Sequence, residues 1–107
     1  MQTANKKESF GEIIKGSTPV LVDFSAEWCG PCRMMKPILD QLHQRMGDKV
    51  RILKIDIDKS PAAAQAYNVH SVPTLIVFQQ GKLLWRQSGV VQATHLEKII
   101  EQHTTNN

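Results

Sequence analysis

The stretch "PVLVDFSAEWCGPCRMMKPILDQLHQRM", residues 19–46, passes from a strand pattern to a helix pattern at a pair of cysteines. Its first six residues form an almost continuous apolar and β-branched run, which is typical of a strand covered on both faces. From Cys29 onward, apolar residues, Met34 among them, recur at steps of three and four, and this spacing predicts a long amphipathic helix that Gly47 ends. Cys29 and Cys32, the only cysteines of the chain, therefore lie where a buried strand gives way to a helix.

The other segments continue the alternation of strands and helices. Ser9 and Thr94 each stand three residues before a glutamate, a capping-box pattern that marks a helix start, and Ser60 before Pro61 has the same role. The strand, long helix and following strand form a crossover unit, so these two strands are expected to be parallel with a right-handed connection. The patterns predict helices over 9–15, 61–67 and 94–103, a strand over 50–58 and a hairpin of strands 74–78 and 82–87.

The size and composition of the chain limit what it can be. With 107 residues, 41% hydrophobic and 21% charged, it is expected to form one domain over residues 1–107, with frayed ends at 1–8 and 104–107. No run approaches the roughly 20 apolar residues of a membrane span, and the N-terminal residues lack the apolar core of a signal peptide. The net charge of +3 is scattered along the chain. We therefore expect a cytoplasmic monomer with no membrane or nucleic-acid partner.

The position of the two cysteines gives them different predicted roles. The free N–H groups and positive dipole of a helix N-terminus stabilise a thiolate at Cys29, which is therefore the predicted nucleophile. Cys32 lies one turn further into the helix, near enough to bond to Cys29 and expected to be further from solvent, which suits it to resolve a mixed disulfide. Gly30 leaves the approach to Cys29 open, and Pro31 fits the first helical turn, where its missing N–H costs nothing.

Three other uses of the pair compete with redox chemistry, and the first of them, two simple buried thiols, would not need the Gly30-Pro31 spacer. A structural disulfide across so short a loop would constrain the unfolded chain very little. A zinc site needs about four ligands, and the four histidines of the chain do not supply an H-x(3–5)-H partner for the C-x-x-C, so no metal is expected. A C-x-x-C between a strand and a helix favours redox chemistry.

The motif "WCGPC", residues 28–32, resembles the active-site motif of the thioredoxin family. "VDF" at 22–24, "SVPT" at 71–74 and Gly89 follow in the family's order, and the similarity covers residues 9–100. The resemblance implies an α/β thioredoxin fold, a mixed central sheet of four to five strands flanked by four helices.

The resemblance also implies a protein-disulfide reductase. Cys29 would attack a disulfide of a target protein, and Cys32 would displace the reduced product. Thioredoxin reductase would return the resulting disulfide to the dithiol with electrons from NADPH, so no cofactor would be bound to the chain itself. The implied partners are thioredoxin reductase and disulfide-containing proteins.

Asp23 interrupts the apolar strand, and burial would raise the pKa of its carboxyl enough to make it a proton acceptor near neutral pH. The alternative is that Asp23 only hydrogen-bonds a backbone group. The resemblance implies that Asp23 takes the proton of Cys32 through water, with Lys54 beside it.

A docking surface for substrates is implied by the same resemblance. Pro73 would be a cis-proline packed against the cysteine pair, and Val72 would present its backbone to an extended substrate segment. Packing in the core is the alternative role for Trp28. The surface would be formed by Trp28, Gly30, Pro31, Val72, Gly89 and Val90.

The chain departs from the family pattern at two places. Ser25 stands where many members carry a second tryptophan, and residues 1–8 lack the apolar alternation of the family's first strand, so that edge strand is expected to be missing or irregular. Two rival functions remain. An oxidase or isomerase usually has other residues between its cysteines, whereas a non-enzymatic binding subunit would use the docking surface and not the thiols.

Overall fold

The computed structural model describes residues 2–3 and 9–105, which form a five-stranded mixed sheet with helices on both faces. The strands lie in the order β1-β3-β2-β4-β5 across the sheet. The strands are β1 Gln2–Thr3, β2 Val20–Ser25, β3 Arg51–Asp56, β4 Thr74–Gln79 and β5 Lys82–Ser88, and the helices are α1 Phe10–Ile14, α2 Gly30–Met46, α3 Pro61–Ala66 and α4 Ala93–His103.

Strand β2 lies at the centre of the sheet and is buried along its whole length. It pairs in parallel with β3 and antiparallel with β4, which confirms the predicted crossover unit. The edge strand that was expected to be missing or irregular is present as β1, whose described residues Gln2 and Thr3 pair in parallel with Leu53 and Lys54.

Successive side chains of β2 point to opposite faces of the sheet. Val22 and Phe24 belong to the core beneath α1 and α3, whereas Leu21 belongs to the core beneath α2 and α4. Because side chains two residues apart share a face, Asp23 and Ser25 lie on the α2 side with Leu21. This alternation sets two polar side chains on the face of the sheet that is covered by the helix with the cysteines.

Of the predicted helix starts, the structure confirms the one at Ser9 and contradicts the one at Thr94. The side chain of Ser9 accepts a hydrogen bond from the Glu12 N–H at 3.1 Å, as the capping box predicts. The prediction for Thr94 was wrong, because α4 begins one residue earlier, at Ala93, which is buried in the core. Packing of that alanine moves Thr94 into the first turn. Neither Gln92, the actual N-cap of α4, nor Ser60 before α3 makes a side-chain capping bond to the part of the chain described.

The hairpin between β4 and β5 is tighter than predicted. Strand β4 extends through Gln79, so only Gln80 and Gly81 form the loop, and both have positive φ, of 53° and 81°. Two left-handed residues match the type I′ turn that suits the twist of an antiparallel pair.

The described part of the C-terminus is tied to the sheet. The Gln79 side chain donates to the Thr105 carbonyl at 2.7 Å and accepts from the Thr105 N–H at 3.0 Å, and the Thr104 hydroxyl donates to the Ile100 carbonyl. Residues 104 and 105 thus have contacts that a frayed end lacks. The fraying predicted for residues 1, 4–8, 106 and 107 lies outside the described residues. Over residues 2–3 and 9–105, no helix is long and apolar enough to cross a membrane.

Candidate active site

The two cysteines are joined by a disulfide at the N-terminus of α2, with their Cα atoms 5.3 Å apart. Cys29 is the N-cap residue, and its Sγ accepts a hydrogen bond from the Cys32 N–H at 3.2 Å. Pro31 lies in the first turn, where no N–H is needed. In the dithiol form, the same N–H and the helix dipole would favour negative charge on the Cys29 sulfur.

Solvent exposure does not distinguish the two cysteines in this disulfide form. Cys29 is 4% exposed and Cys32 is 3% exposed, so the expected difference in burial is not found. Ala26, Ile57 and Val72 pack around the two cysteines. What separates the two residues is their place in the helix, since Cys29 is the capping residue and Cys32 is inside the first turn.

The loop before β4 reaches the disulfide through Val72. The peptide bond between Val72 and Pro73 is cis, and the Val72 carbonyl oxygen lies 3.6 Å from Cys29 Sγ. The Pro73 carbonyl accepts a hydrogen bond from the Gly89 N–H at 2.8 Å, and Val90 follows next in the chain. The structure therefore brings Val72, Pro73 and Gly89 to the same side of Cys29.

Trp28 is not a core residue. It is 67% exposed, and its indole N–H donates to the Asp58 carboxylate at 2.8 Å. Beside it, a Cβ added to Gly30 would meet no described atom within 4 Å apart from its chain neighbours and its own helix backbone, so the surface at Gly30 is open. The alternative of plain core packing for Trp28 is therefore wrong.

Two residues near the cysteines were missed or misplaced by the sequence analysis. Asp58 was not singled out, because only the fold brings the segment after β3 to the indole of Trp28. Met34 was counted in the apolar stripe of α2, but it is 58% exposed on the turn that follows Cys32. The buried stripe begins at Cys32 and continues through Met35 and Ile38, and this spacing excludes position 34.

Asp23 is 1% exposed and lies on the face of the sheet that α2 covers. Neither carboxyl oxygen has a hydrogen-bond partner among the residues that the structure describes, so the alternative of a simple backbone contact is not supported. Burial raises the pKa of Asp23 to about 6, although the nearby Lys54 charge acts to lower it. Lys54 is the register partner of Asp23 on β3, which places the two predicted residues side by side.

The described ranges contain no group of three or more histidine, cysteine, aspartate or glutamate side chains arranged to hold a metal ion.

A strand–helix–strand unit that presents a C-x-x-C disulfide at the helix start, beside a cis-proline loop, defines a thiol–disulfide oxidoreductase. The family model for thioredoxin matches residues 1–102, and the chain belongs to the thioredoxin family. Cys29 and Cys32 are its redox-active pair.

Similar proteins come from distant organisms. A thioredoxin-like protein of Synechocystis is 49% identical over 89 residues, which cover 82% of this chain and 85% of that protein. The thioredoxin of Chlamydia trachomatis is 46% identical over 97 residues, covering 91% of this chain and 93% of that protein. The oxidised structure of mitochondrial thioredoxin 3 from Saccharomyces cerevisiae is similar with a TM-score of 0.78 at 40% identity, and the match covers 87% of this chain and 86% of that one. These similarities confirm the predicted fold and the predicted class of chemistry.

Proposed function

We propose that this thiol–disulfide oxidoreductase works as a general reductase of protein disulfides, as a monomer in the cytoplasm. Thioredoxin reductase would recycle it with electrons from NADPH, and disulfide-containing proteins would be its substrates. The observation that carries the proposal is the Cys29–Cys32 pair at the start of α2, with Cys29 at the N-cap and in contact with Val72. Gly30 and Pro31 between the cysteines resemble the spacer of the reducing members of the family.

The first step uses Cys29. Its thiolate, favoured by the Cys32 N–H and the helix N-terminus, attacks one sulfur of the target disulfide. A mixed disulfide forms between Cys29 and the target, and the second target sulfur leaves as a thiolate, which takes a proton from solvent.

The second step uses Cys32 and the buried carboxyl. Asp23 takes the proton from the Cys32 thiol, and the new thiolate attacks Cys29 Sγ. The Cys29–Cys32 disulfide forms while the bond between Cys29 and the target breaks, and the target sulfur that was held in that bond leaves as a thiolate. Two electrons have then passed from the cysteine pair to the target protein.

The docking surface supplies contacts that do not depend on the side chains of one target. Val72 presents its backbone beside Cys29, and a bound segment in extended form gains main-chain hydrogen bonds there. Exposed Trp28 offers a large rigid ring at the edge of the same region. We assign the surface to Trp28, Gly30, Pro31, Val72, Pro73, Gly89 and Val90.

Asp58 holds the Trp28 ring by the indole hydrogen bond, and we expect Asp58→Ala to weaken substrate binding. Loss of a hydrogen bond worth about 1 kcal/mol frees the ring, so KM for a protein disulfide should rise by about three- to tenfold while kcat is retained. Steady-state kinetics measures KM and kcat, and tryptophan fluorescence reports the freed Trp28 ring. The matched control is Asp48→Ala, an exposed acid at the opposite end of α2, and an equal rise in KM there would contradict the assignment.

Asp23→Asn tests the proton acceptor. The amide cannot take the Cys32 proton, so the second step should slow by at least about tenfold while the first attack keeps its rate. Because the pKa of Asp23 is about 6, the second step of the unmodified protein should quicken as the pH rises through 6 and then level off. Stopped-flow measurement of a mixed disulfide separates the steps. Equal rates of the second step in both proteins would rule out the acceptor role.

The direction of electron flow is tested by equilibrating Cys29–Cys32 with a glutathione redox buffer. A reductase requires a pair more reducing than the cytosolic glutathione pool. A more oxidising pair would instead indicate an oxidase or isomerase.

Replacement of both cysteines by serine distinguishes a reductase from a non-enzymatic binding subunit. A purely binding subunit would keep its function, and a reductase would lose it.

A further inference from the structure

The segment 67–73 joins α3 to β4 and brings the Val72 carbonyl oxygen to 3.6 Å from Cys29 Sγ. The segment contains no helix or strand, so a regular ladder of hydrogen bonds does not fix its course. Its last residue is bound to the chain just after β5, because the Gly89 N–H donates to the Pro73 carbonyl at 2.8 Å. The position of the Val72 carbonyl therefore depends on contacts from neighbouring elements.

Three hydroxyl groups on this segment and on β4 and β5 form a closed ring of hydrogen bonds. Ser71 and Thr74, which flank Val72 and Pro73 in the chain, both contact Ser88, the last residue of β5. Thr74 Oγ1 donates its one proton to the Ser71 carbonyl at 2.7 Å, so it accepts at its 3.0 Å contact with Ser88. The Ser71 hydroxyl donates to Ser88 Oγ at 3.3 Å. Each hydroxyl of this hydroxyl ring thus donates once, and the ring closes on Ser71.

The sheet sets the position of two members of the hydroxyl ring. Thr74 is fully buried and lies opposite Phe24 on β2 and Ser88 on β5. A buried hydroxyl needs a protein partner because water does not reach it. Since Thr74 and Ser88 are held in the register of the sheet, Ser71 is the member that belongs to the irregular segment. The hydroxyl ring therefore ties that segment to the sheet directly beside Val72.

Arg86 holds the start of the same segment. It stands two residues before Ser88, and side chains two residues apart on a strand share a face. Its guanidinium donates through Nη1 to the Tyr67 carbonyl and through Nη2 to the Asn68 carbonyl, the latter at 2.8 Å. Asn68 has a positive φ of 52°, at the point where the chain leaves α3. Two side chains of β5 thus bind the segment near both of its ends.

We propose that Ser88 and Arg86 are positioning residues for substrate binding, which hold the segment 67–73 so that the Val72 backbone stays beside Cys29 and open to an extended target. This inference rests on the proposed binding of targets at Val72. A target segment that forms main-chain hydrogen bonds loses them when the Val72 backbone is displaced. A small disulfide has no such segment and reacts at Cys29 without these bonds. Loss of the hydroxyl ring should therefore lower the preference for protein disulfides over small ones.

Ser88→Ala opens the hydroxyl ring and is the first test. We expect kcat/KM for insulin to fall at least about threefold more than kcat/KM for 2-hydroxyethyl disulfide, with most of the fall in KM. Steady-state assays with dithiothreitol as the reductant measure both substrates. Ser88→Thr keeps a hydroxyl on the strand and should restore the ratio. Gln87→Ala, at the exposed neighbouring position of β5, is the matched control and should keep the ratio of the unmodified protein.

Amide hydrogen exchange of the oxidised proteins reports the segment itself. The Gly89 N–H is protected by its bond to the Pro73 carbonyl, so release of the segment should speed its exchange. We expect an increase of at least about threefold in Ser88→Ala and in Arg86→Met, and none in Gln87→Ala. Arg86→Met keeps the long apolar stem without the donors, and it tests the same role should Ser88→Ala not fold.

The outcomes separate this inference from the proposed function. Equal kcat/KM ratios in Ser88→Ala and Gln87→Ala, or a ratio that Ser88→Thr does not restore, would overturn the positioning role and leave the reductase function intact. Unchanged exchange of the Gly89 N–H in both Ser88→Ala and Arg86→Met would overturn it as well. An unmodified protein that reduces 2-hydroxyethyl disulfide but not insulin would instead contradict the reductase function, and with it the target binding at Val72.

Discussion

Cys32→Ser is expected to stop the cycle after the first exchange and to leave the target protein covalently attached to Cys29. Without the second thiol, nothing in the site displaces the bound product, so turnover should fall by a factor on the order of 10³ or more. Incubation with an oxidised protein substrate, followed by non-reducing electrophoresis and mass spectrometry, should show a stable adduct on Cys29.

Cys29→Ser is the matched control for this experiment. Both single variants lose the same disulfide, so a difference between them cannot arise from its loss. Cys32 lies inside the first turn of α2, whereas Cys29 caps the helix and contacts Val72. Adducts should therefore form on Cys29 and not on Cys32. Equal adduct formation by the two variants would show that the helix position does not select the nucleophile.

Asp23→Asn is expected to make the protein more stable at neutral and alkaline pH. Burial raises the pKa of Asp23 from its ordinary value of 3.8 to about 6, so the folded chain holds this proton more tightly than the unfolded chain does. At 1.36 kcal/mol for each pH unit, ionising the buried carboxylate costs the folded state up to about 3 kcal/mol.

The stability difference between Asp23→Asn and the unmodified protein should depend on pH. Below pH 3.8, Asp23 is protonated in both states and its ionisation costs nothing. As the pH rises to about 6, the unmodified protein loses this stability, and above 6 the loss stays constant. The advantage of Asp23→Asn should therefore grow by up to about 3 kcal/mol from acid to pH 8. Urea denaturation of the oxidised proteins measures it.

Asp40→Asn, at an exposed position on α2, provides the control for the stability experiment. Its effect on the free energy of unfolding should stay within about 0.5 kcal/mol at every pH. A pH-independent difference between Asp23→Asn and the unmodified protein would mean that the folded chain does not retain the Asp23 proton.

Local patterns in the sequence were sufficient for the elements around the site. The apolar run of β2 and the three- and four-residue spacing of α2 predicted a buried strand followed by an amphipathic helix, and both are present. The capping pattern at Ser9 succeeded because both of its partners lie within one turn. The same pattern failed at Thr94, where packing of Ala93 against the core set the helix start.

Local sequence patterns could not predict the contacts between distant segments. The hydrogen bond between Trp28 and Asp58 joins residues 30 positions apart, and the contact between Cys29 and Val72 spans 43. Neither segment contains a signal for its partner, because only the crossover and the hairpin bring them together. The cavity of about 240 Å³ that Ser25 and Cys32 help to line likewise depends on residues of β3 and α2 that lie across from Ser25.

The sequence by itself determined that two thiols stand at the start of a helix behind a buried strand, since spacing and apolar periodicity are properties of neighbouring residues. It thereby determined the redox chemistry. The tertiary structure alone decided that Asp23 is buried without a hydrogen-bond partner among the described residues, that Val72 lies against Cys29, and that Cys32 borders a cavity. The physical reason is that desolvation and cavity volume are set by the atoms that surround a group in space, and most of those atoms belong to segments far away in the chain.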